Sequence, residues 1–548
     1  MNSPSPAIDH DFEFEEMLHF PWDETLPRTF GPSPTTWPNI PLPSEADSIK
    51  SWDHFSDEEL AEKLLPDAKS PNFEAKAFYF RILREWLLNC DSNHDECQLS
   101  LTDHEFWPKR VIFVGDHQHL RLVEEPSGDR DYLVLSHCWG SPTDQEWNRF
   151  CTTPNNYHSR LDGFRLDDLP KTFRDAVEVT RELGKQYLWI DALCIIQGSH
   201  GEWQSEASRM ERVFANAYCT IAADSARGWK DGFLEPSLWD QIVPGSMECD
   251  CRFDLDVDEG SLMKRAWVIQ ERVLSRRIIH FTASHTNVTH TYWECGDEVR
   301  CQQFSKLSLP IGKQRFIMDP YFPSLLMKAG YYRSLEFIQF LLGKYSQCGL
   351  TYKSDRDMAI SSLLGRMGHE LATSVRYGII RCFLGSLLSW KRTAKEMTPP
   401  IDFGQRTVPS WSWMAYDGSI EFIVNYRYEL EIPRPTDLEF TQDGKELKVK
   451  VREFENCRLG ENEGDNEYAV CGRDGKVGSL WYDMKGQIEF NYCVVVGSGK
   501  TSAVVGNPKT YYVVMVQEKP DRGCYVRLGA GTLDEGYVST KSEAGRLL

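Results

Sequence analysis

Hydrophobic residues between positions 130 and 225 follow two patterns, short continuous apolar runs and longer amphipathic stretches. The short runs, of which YLVLS is typical, predict buried strands near 132–136, 187–192 and 218–223. The stretches LPKTFRDAVEVTRELG and EWQSEASRMERVFANA carry apolar residues at helical spacing and predict helices over 170–183 and 203–216. Because strands and helices alternate, we expect the three strands to be neighbours in one mostly parallel sheet with the helices packed on it.

The same patterns divide the rest of the 548 residues into segments, a length that predicts several domain-sized units. The fold class expected for the whole chain is α/β, with a helical segment and a β-rich C-terminal region. The predicted segments are a disordered, Pro-rich, acidic arm (1–55), a lead-in of helix and strand (56–128), the α/β domain (129–300), a mostly helical region (301–400) and a β-rich region (401–548).

Composition restricts the partners that the chain can bind. The formal net charge of −21 argues against nucleic acid or an anionic membrane surface, because both require basic binding surfaces. No apolar run approaches the roughly 20 residues of a membrane span, and no N-terminal signal segment is evident. The 16 cysteines are scattered, with no Cys-x-x-Cys pair, which fits a reducing compartment. We therefore expect a cytoplasmic protein without a membrane span.

Polar residues follow the predicted strands at the positions where a parallel sheet binds ligands. Such sheets bind ligands beyond the carboxyl ends of their strands, near the switch in strand order. The first strand ends in Ser136, followed by His-Cys-Trp139-Gly140, and the second ends near Asp191. These residues are either ordinary loop and capping residues or the lining of a pocket, and the sequence leaves both interpretations open.

The segment RAWVIQER (265–272) predicts a helix whose apolar stripe does not include all its large residues. Leu262, Ala266, Ile269 and Val273 form the stripe, whereas Glu271 lies roughly opposite, with Trp267 about 40° away from it. A Trp off the core stripe must be covered by another segment or by a ligand. Either Glu271 is a solvated residue beside a Trp packed under residues 224–259, or the two face a ligand.

Three other patterns do not indicate a site. VVVGSGKTS (494–502) has Val where a phosphate loop requires the first Gly, so it predicts a hairpin turn. His280, His285 and His290 are five residues apart, which places neighbours on opposite faces of a strand rather than around a metal. Cys194 is better explained as a small buried residue than as a nucleophile. We therefore expect no metal site.

Four blocks in order resemble the fungal heterokaryon incompatibility (HET) domain: YLVLSHCWG, LPKTFRDAVEVTRELGKQYLWIDALCIIQ, EWQSEASRMERVFANAYCTIAA and RAWVIQERVLSRR. WECGDE and the distant VPSWSWMAYDGSI are also similar to such proteins. The resemblance implies a cytoplasmic fungal protein that acts in non-self recognition and programmed cell death. The HET domain is similar in outline to TIR domains, which are flavodoxin-like and some of which cleave NAD. TIR enzymes carry their catalytic Glu in a W-C-x-x-E pattern, and Trp267 and Glu271 have the same offset, although Val268 replaces the Cys.

The resemblance therefore implies a TIR-like NAD glycohydrolase, with NAD as the substrate and no cofactor. Glu271 would be the catalytic carboxylate, and the expected substrate-binding residues are Ser136, Trp139, Gly140, Asp191, Trp267 and Gln270. The alternative is a non-enzymatic module that self-associates, or binds a protein partner, through the HET domain and relays a death or regulatory signal. The sequence does not decide whether the domain is catalytically active.

Overall fold

The computed structural model describes most of the chain from residue 74 onward, together with two short stretches before it. The described residues are 54–56, 63–64, 74–97, 106–116, 119–124, 131–198, 200–240, 242, 251–283, 289–303, 305–307, 317, 319–393, 397–424, 430–431, 437–464, 466–486, 488–499, 509–521 and 523–548. The predicted arm (1–55) lies outside them, apart from residues 54 and 55, which belong to the first strand.

The large N-terminal sheet contains eleven described strands around a parallel centre. In chain order the strands are β1 His54–Ser56, β2 Arg110–Phe113, β3 His119–Glu124, β4 Tyr132–Ser136, β5 Phe164–Arg165, β6 Tyr187–Trp189, β7 Cys219–Ala222, β8 Arg277–Ala283, β9 Thr289–Cys295, β10 Val299–Cys301 and β11 Ser305–Leu307. β4 pairs in parallel with β6 on one side and with β7 on the other, and β7 pairs in parallel with β8. The three predicted strands are therefore neighbours in one sheet, as the alternating pattern predicts.

Antiparallel strands extend this parallel centre in both directions. β2, β3 and β5 continue from β6, while β9, β10, β11 and β1 continue from β8. The sheet as a whole is therefore mixed, and only its centre has the expected parallel arrangement. Most of these extensions join consecutive strands, such as β8 with β9 and β2 with β3. The pairings of distant strands, β1 with β11 and β2 with β6, leave no pattern in the sequence beyond that of the strands themselves.

Helices cover the sheet and continue into the middle of the chain. They are α1 Ala75–Asn93, α2 Asp144–Phe150, α3 Tyr157–Asp162, α4 Lys171–Glu182, α5 Asp191–Cys194, α6 His200–Asn216, α7 Ser237–Asp240, α8 Ala266–Leu274, α9 Leu325–Ala329, α10 Tyr331–Gln347, α11 Met358–Glu370 and α12 Leu384–Leu388. α4 follows Pro170 and ends before Gly184, and Phe173 and Ala176 on its predicted face are buried. Among the described residues, no helix combines the length and the apolar character that crossing a bilayer requires.

The C-terminal region is β-rich, as predicted. β12 Val375–Arg376, β13 Ile379–Ile380 and β14 Trp390–Arg392 precede it, within the region predicted to be mostly helical. Its own strands are β15 Ile420–Phe422, β16 Leu430–Glu431, β17 Leu438–Phe440, β18 Leu447–Glu453, β19 Arg458–Gly464, β20 Glu467–Cys471, β21 Lys476–Tyr482, β22 Tyr492–Gly499, β23 Thr510–Glu518, β24 Cys524–Asp534 and β25 Glu543–Leu547. β22, β18, β25, β24 and β23 pair in turn, and β23 pairs again with β22, so the sheet closes into a barrel-like form. The antiparallel pairing of β22 with β23 fits the hairpin predicted for VVVGSGKTS, whose last residues lie outside the described part.

One buried hydrophobic cluster runs through both regions, from Leu64 to Leu547. It includes the parallel strands of the first sheet, α10 to α12, and strands of the C-terminal barrel. Among the described cysteines, Cys251 is disulfide-bonded and the others form no disulfide, so Cys251 departs from the arrangement expected in a reducing compartment.

Candidate functional site

The end of β4 and the outer face of α8 meet at a hydrogen bond between Ser136 and Glu271. Ser136 is the last residue of β4 and is buried, and its hydroxyl donates to Glu271 Oε2. On α8, the residues facing the core include Ala266, Ile269 and Val273, whereas Trp267 and Glu271 keep partial exposure. The helical periodicity therefore predicts correctly which residues of α8 lie off the core stripe.

The surroundings of Glu271 disfavour its charged form. Burial raises the pKa of this carboxyl to about 7, and the negative charge of Asp191 adds to the rise. The hydrogen bond from Ser136 and the positive charge of Arg265 act in the opposite direction and lower the pKa. Within the described part of the chain Glu271 forms no ion pair, so the Ser136 hydroxyl is its direct partner. A carboxyl that titrates near neutral pH in a partly exposed position is typical of functional sites, because it can exchange its proton at working pH.

Asp191, the first residue of α5, faces the loop that follows β4. Its Oδ2 accepts a hydrogen bond of 2.8 Å from the indole Nε1 of Trp139, and its Oδ1 accepts one of 2.6 Å from the backbone N–H of Ala192. These two bonds fix the carboxylate at the carboxyl end of β6. Asp191 therefore holds Trp139 in place and also contributes to the negative potential at Glu271.

His137 is a residue of this site that the sequence interpretation did not select. Burial lowers the pKa of its imidazole, and the Asp191 charge only partly offsets that effect, so the ring is neutral at pH 7. Its Nε2 lies 3.9 Å from Asp191 Oδ1 and has no hydrogen-bond partner among the described residues. Its backbone carbonyl accepts a hydrogen bond from the guanidinium of Arg265, the residue that precedes α8. Both residues lie in the quoted motifs, but their roles depend on tertiary contacts.

Trp139 also belongs to an aromatic cluster beside the site. Its ring centroid lies 5.3 Å from that of Trp147 and 5.5 Å from that of Trp229. Trp139 and Trp147 are partly exposed, while Trp229 is buried. The exposed parts of these rings form an aromatic surface next to Asp191, of the kind that stacks on planar rings.

Gly140 lets two loops approach each other behind Trp139. Its φ of +72° lies in the left-handed region, and a Cβ at this position would come within 3.1 Å of the Gly228 Cα. No L-residue with a side chain fits this contact without a shift of backbone. Gly140 therefore determines the shape of the loop, and the substrate contact expected of it stays a prediction.

A buried ionic network lies on the other side of α8. Arg272 donates to Glu294 from Nε and Nη2, at 3.0 and 2.9 Å, and to Asp258 at 2.6 Å. His280 bridges Glu294 and Asp224, at 2.8 and 3.0 Å. Burial raises the pKa of Glu294, but Arg272 and His280 outweigh it and bring that pKa to about 2. These charges are paired and shielded, so the network is structural support for α8 and β8.

The structure thus brings together four of the predicted site residues, in two hydrogen-bonded pairs, Ser136 with Glu271 and Trp139 with Asp191. Trp267 is partly buried and packs against the main core. Gln270 is buried, and its Oε1 has no hydrogen-bond partner among the described residues. Cys194, set aside as a nucleophile, is buried, and burial raises its pKa to about 12.

Comparison with known proteins gives one family. Residues 132–271, from the first residue of β4 to Glu271, match the family model described as heterokaryon incompatibility protein (HET). Neither the curated proteins nor the solved structures provide a significant match. The matched residues include the parallel strands β4, β6 and β7 and both hydrogen-bonded pairs of the candidate site. This chain is therefore a protein with a heterokaryon incompatibility (HET) domain, located at residues 132–271.

Proposed function

We propose that the HET domain of this chain cleaves the bond between nicotinamide and ribose in an NAD-like dinucleotide, with Glu271 as the catalytic carboxylate. The supporting observation is the position of Glu271, partly exposed at the carboxyl end of the central strand, bonded to Ser136 and free of a cationic partner in the described part of the chain. Cleavage of this bond develops an oxocarbenium-like charge on the ribose. An unneutralised carboxylate stabilises such a charge, which a carboxylate in an ion pair does poorly.

The residues around Glu271 supply the other parts that the reaction needs. The exposed parts of Trp139 and Trp147 are suited to stacking on the nicotinamide or adenine ring. Ser136 orients the carboxylate, and Asp191 offers acceptor oxygens beside Trp139 for ribose hydroxyls. NAD is a substrate in this proposal, and water accepts the ribosyl group. The electron pair of the broken bond stays on the ring nitrogen, so the products are neutral nicotinamide and ADP-ribose, and the proton of the attacking water passes to solvent.

The order of the central strands supports the comparison with TIR domains. Along the sheet, the parallel strands run β6-β4-β7-β8, which is second, first, third, fourth in their own chain order. Flavodoxin-like folds have this order and bind ligands where it switches, between the first and third strands. Ser136 ends the first of these strands, at that switch. In this proposal the chain acts in non-self recognition, and NAD depletion leads to cell death.

The test compares the wild-type full chain with Glu271→Gln by incubating each with NAD and measuring free nicotinamide. Gln keeps the size of the side chain and can still accept the Ser136 hydrogen bond, but it carries no charge. We expect turnover by the wild type and a loss of at least about 100-fold in the variant. Asp167→Asn is the matched control, because that carboxyl lies in the same domain with its side chain 77% exposed and should leave turnover unchanged.

The alternative is an interaction module that self-associates or binds a protein partner without consuming NAD. It predicts that neither protein releases nicotinamide, even when the HET domain is clustered by fusion to an oligomer, and that Glu271→Gln leaves death in a cell assay intact. That result would refute the enzymatic proposal. Loss of turnover and of cell death in a variant whose melting temperature is not lowered would support it.

A further inference from the structure

Four metal-ligating side chains converge on the side of the sheet formed by β9, away from Glu271. Cys90 lies near the end of α1, His94 caps that helix, and Cys97 lies in the 3-10 turn Asp95–Cys97 that follows. Cys295 is the last residue of β9. The donor atoms of all four lie within 4.8 Å of one another.

The local fold explains why these four donors meet. The backbone N–H of His94 donates to the Cys90 carbonyl at 3.2 Å, and that of Cys97 donates to the His94 carbonyl at 3.0 Å. The chain therefore keeps winding after α1, and residues spaced by four and three stay on one face. Cys295, about 200 positions further along the chain, lies at the end of β9 on that same face. Its sulfur is within hydrogen-bond distance of His94 Nδ1.

The donor set and its dimensions fit tetrahedral zinc. Three thiols and one imidazole are a common structural zinc set, and bond lengths near 2.3 Å to sulfur and 2.0 Å to nitrogen put ligand atoms roughly 3.5–3.8 Å apart. The Cys295 Sγ lies 3.4 Å from the His94 Nδ1. The three sulfurs are free thiols and are buried, and the His94 side chain is 11% exposed. Four protein ligands leave no open position, which is typical of structural rather than catalytic zinc.

The groups behind the ligands are those that zinc sites use to orient them. His94 directs its other nitrogen, Nε2, toward Glu298 Oε1 at 3.8 Å. The buried Glu298 is held by Arg300 at 2.6 and 2.8 Å and by Lys306 at 3.0 Å. A carboxylate behind a ligating imidazole fixes its tautomer and orientation.

We propose that Cys90, His94, Cys97 and Cys295 hold a structural Zn²⁺ ion that ties α1 to the end of β9. The ion joins an element that precedes the matched HET residues to the sheet that contains them. Because all four ligands come from the protein and are buried, the ion contributes to folding rather than to chemistry.

The test is the zinc content of the purified full chain, produced with zinc in the medium, dialysed against metal-free buffer and measured by elemental mass spectrometry. We expect about one zinc per chain. Cys97→Ser and Cys295→Ser should each fall far below that value, because serine is a poor zinc ligand. His94→Cys should keep the ion, since four thiolates also bind zinc. Cys457→Ser, a partly exposed free thiol in the C-terminal barrel, is the matched control and should retain full zinc content.

A second measurement applies if the serine variants do not fold. Thiol modification of the wild-type protein with an organomercurial should release the zinc, which a chromogenic chelator detects. Folded wild-type protein that holds no zinc would overturn the proposal. Full zinc content in a folded Cys97→Ser/Cys295→Ser double variant would place the ion elsewhere and overturn it equally.

Discussion

Glu271 and Arg272 are adjacent on α8, yet the structure places their charges in opposite settings. Arg272 is buried between two carboxylates that need its charge. Glu271 has no cationic partner in the described part of the chain, and burial raises its pKa to about 7. Loss of charge should therefore have opposite effects on stability at the two positions, and this contrast separates a functional group from a structural one.

Glu271→Gln should stabilise the folded protein above pH 7. The folded state holds a proton on Glu271 up to about pH 7 that the unfolded chain releases near pH 4.5, so wild-type stability falls as pH rises between these values. The pKa difference corresponds to at most about 3 kcal/mol, and partial exposure reduces it, so we expect a gain of about 1–3 kcal/mol. Thermal melts of the wild type and the variant at pH 5 and pH 8 measure this gain in stability. A lower melting temperature for the variant at pH 8 would instead indicate a buried ion pair.

Arg272→Met should destabilise the protein strongly at neutral pH. Removal of the guanidinium leaves the partly buried Asp258 without its ion-pair partner and the buried Glu294 with only His280, a change that costs about 3–5 kcal/mol. Arg252→Met is the matched control, because Arg252 is 58% exposed and its pair with Asp254 lies in solvent, where ion pairs add little to stability. Thermal melts of the two variants should differ clearly, and similar melting temperatures would argue against a structural role of the network.

Ser136→Ala should move the pH dependence of Glu271 upward. The Ser136 hydroxyl favours the charged carboxylate, so its removal should raise the pKa of Glu271 further. The rate of nicotinamide release should then reach half its maximum at a higher pH in the variant than in the wild type. A pH–rate profile that does not move would show that this hydrogen bond has no part in tuning the carboxyl.

At the scale of elements, local pattern predicts much of the α/β centre. The apolar runs predict β4, β6 and β7, and the amphipathic stretches predict α4 and α6 nearly to their ends. What the sequence does not predict is pairing between distant elements. Ser136 and Glu271 are 135 positions apart, and the parallel pairing of β4, β7 and β8 brings them together. The same holds for the pairings of β1 with β11 and of β2 with β6 at the two sides of the centre.

The cysteine cluster is a comparable case, because only part of it is visible in the local sequence. Cys90, His94 and Cys97 have the spacing of a short metal-binding segment, which a search confined to Cys-x-x-Cys overlooks. The fourth ligand, Cys295, is indistinguishable by sequence from other buried cysteines. The expectation of no metal site rested on the His residues of the β8–β9 hairpin and missed this arrangement.

Gly140→Ala should destabilise the loop after β4 more than the same change does at Gly184. Both glycines have positive φ, +72° and +74°, so a side chain at either position causes backbone strain of about 1 kcal/mol. A Cβ at position 140 would also press on Gly228, whereas position 184 has nothing within 4 Å. Thermal melts compare the two variants. Equal losses of stability in the two variants would mean that the contact with Gly228 does not contribute to the cost of Gly140→Ala.

At the scale of the whole molecule, the region after the HET domain holds the helix that carries Glu271. Gly349, just beyond α10, accepts a hydrogen bond of 3.1 Å from Ala266 and donates one of 2.7 Å to the Lys264 carbonyl. These contacts fix the first turn of α8 from outside the matched residues. Because the hydrophobic core is also continuous from Leu64 to Leu547, the two regions should unfold as one unit.

Trp413→Ala tests this coupling from a site far along the chain. Trp413 is fully buried, its indole donates to the Gly378 carbonyl at 3.1 Å, and its ring lies against Tyr345 of α10 and under the Arg356 guanidinium. The cavity should cost about 3–5 kcal/mol. If the core is continuous, calorimetry should show one transition at a lower temperature, and hydrogen exchange of the β4 amides should speed up as well.

The control variant is Ile488→Ala, at a position that is 45% exposed in the C-terminal region, and it should change stability by no more than about 0.5 kcal/mol. Two separate transitions, with β4 exchange unchanged, would mean that the HET domain is stable by itself and that the contacts at Gly349 only dock one unit on the other.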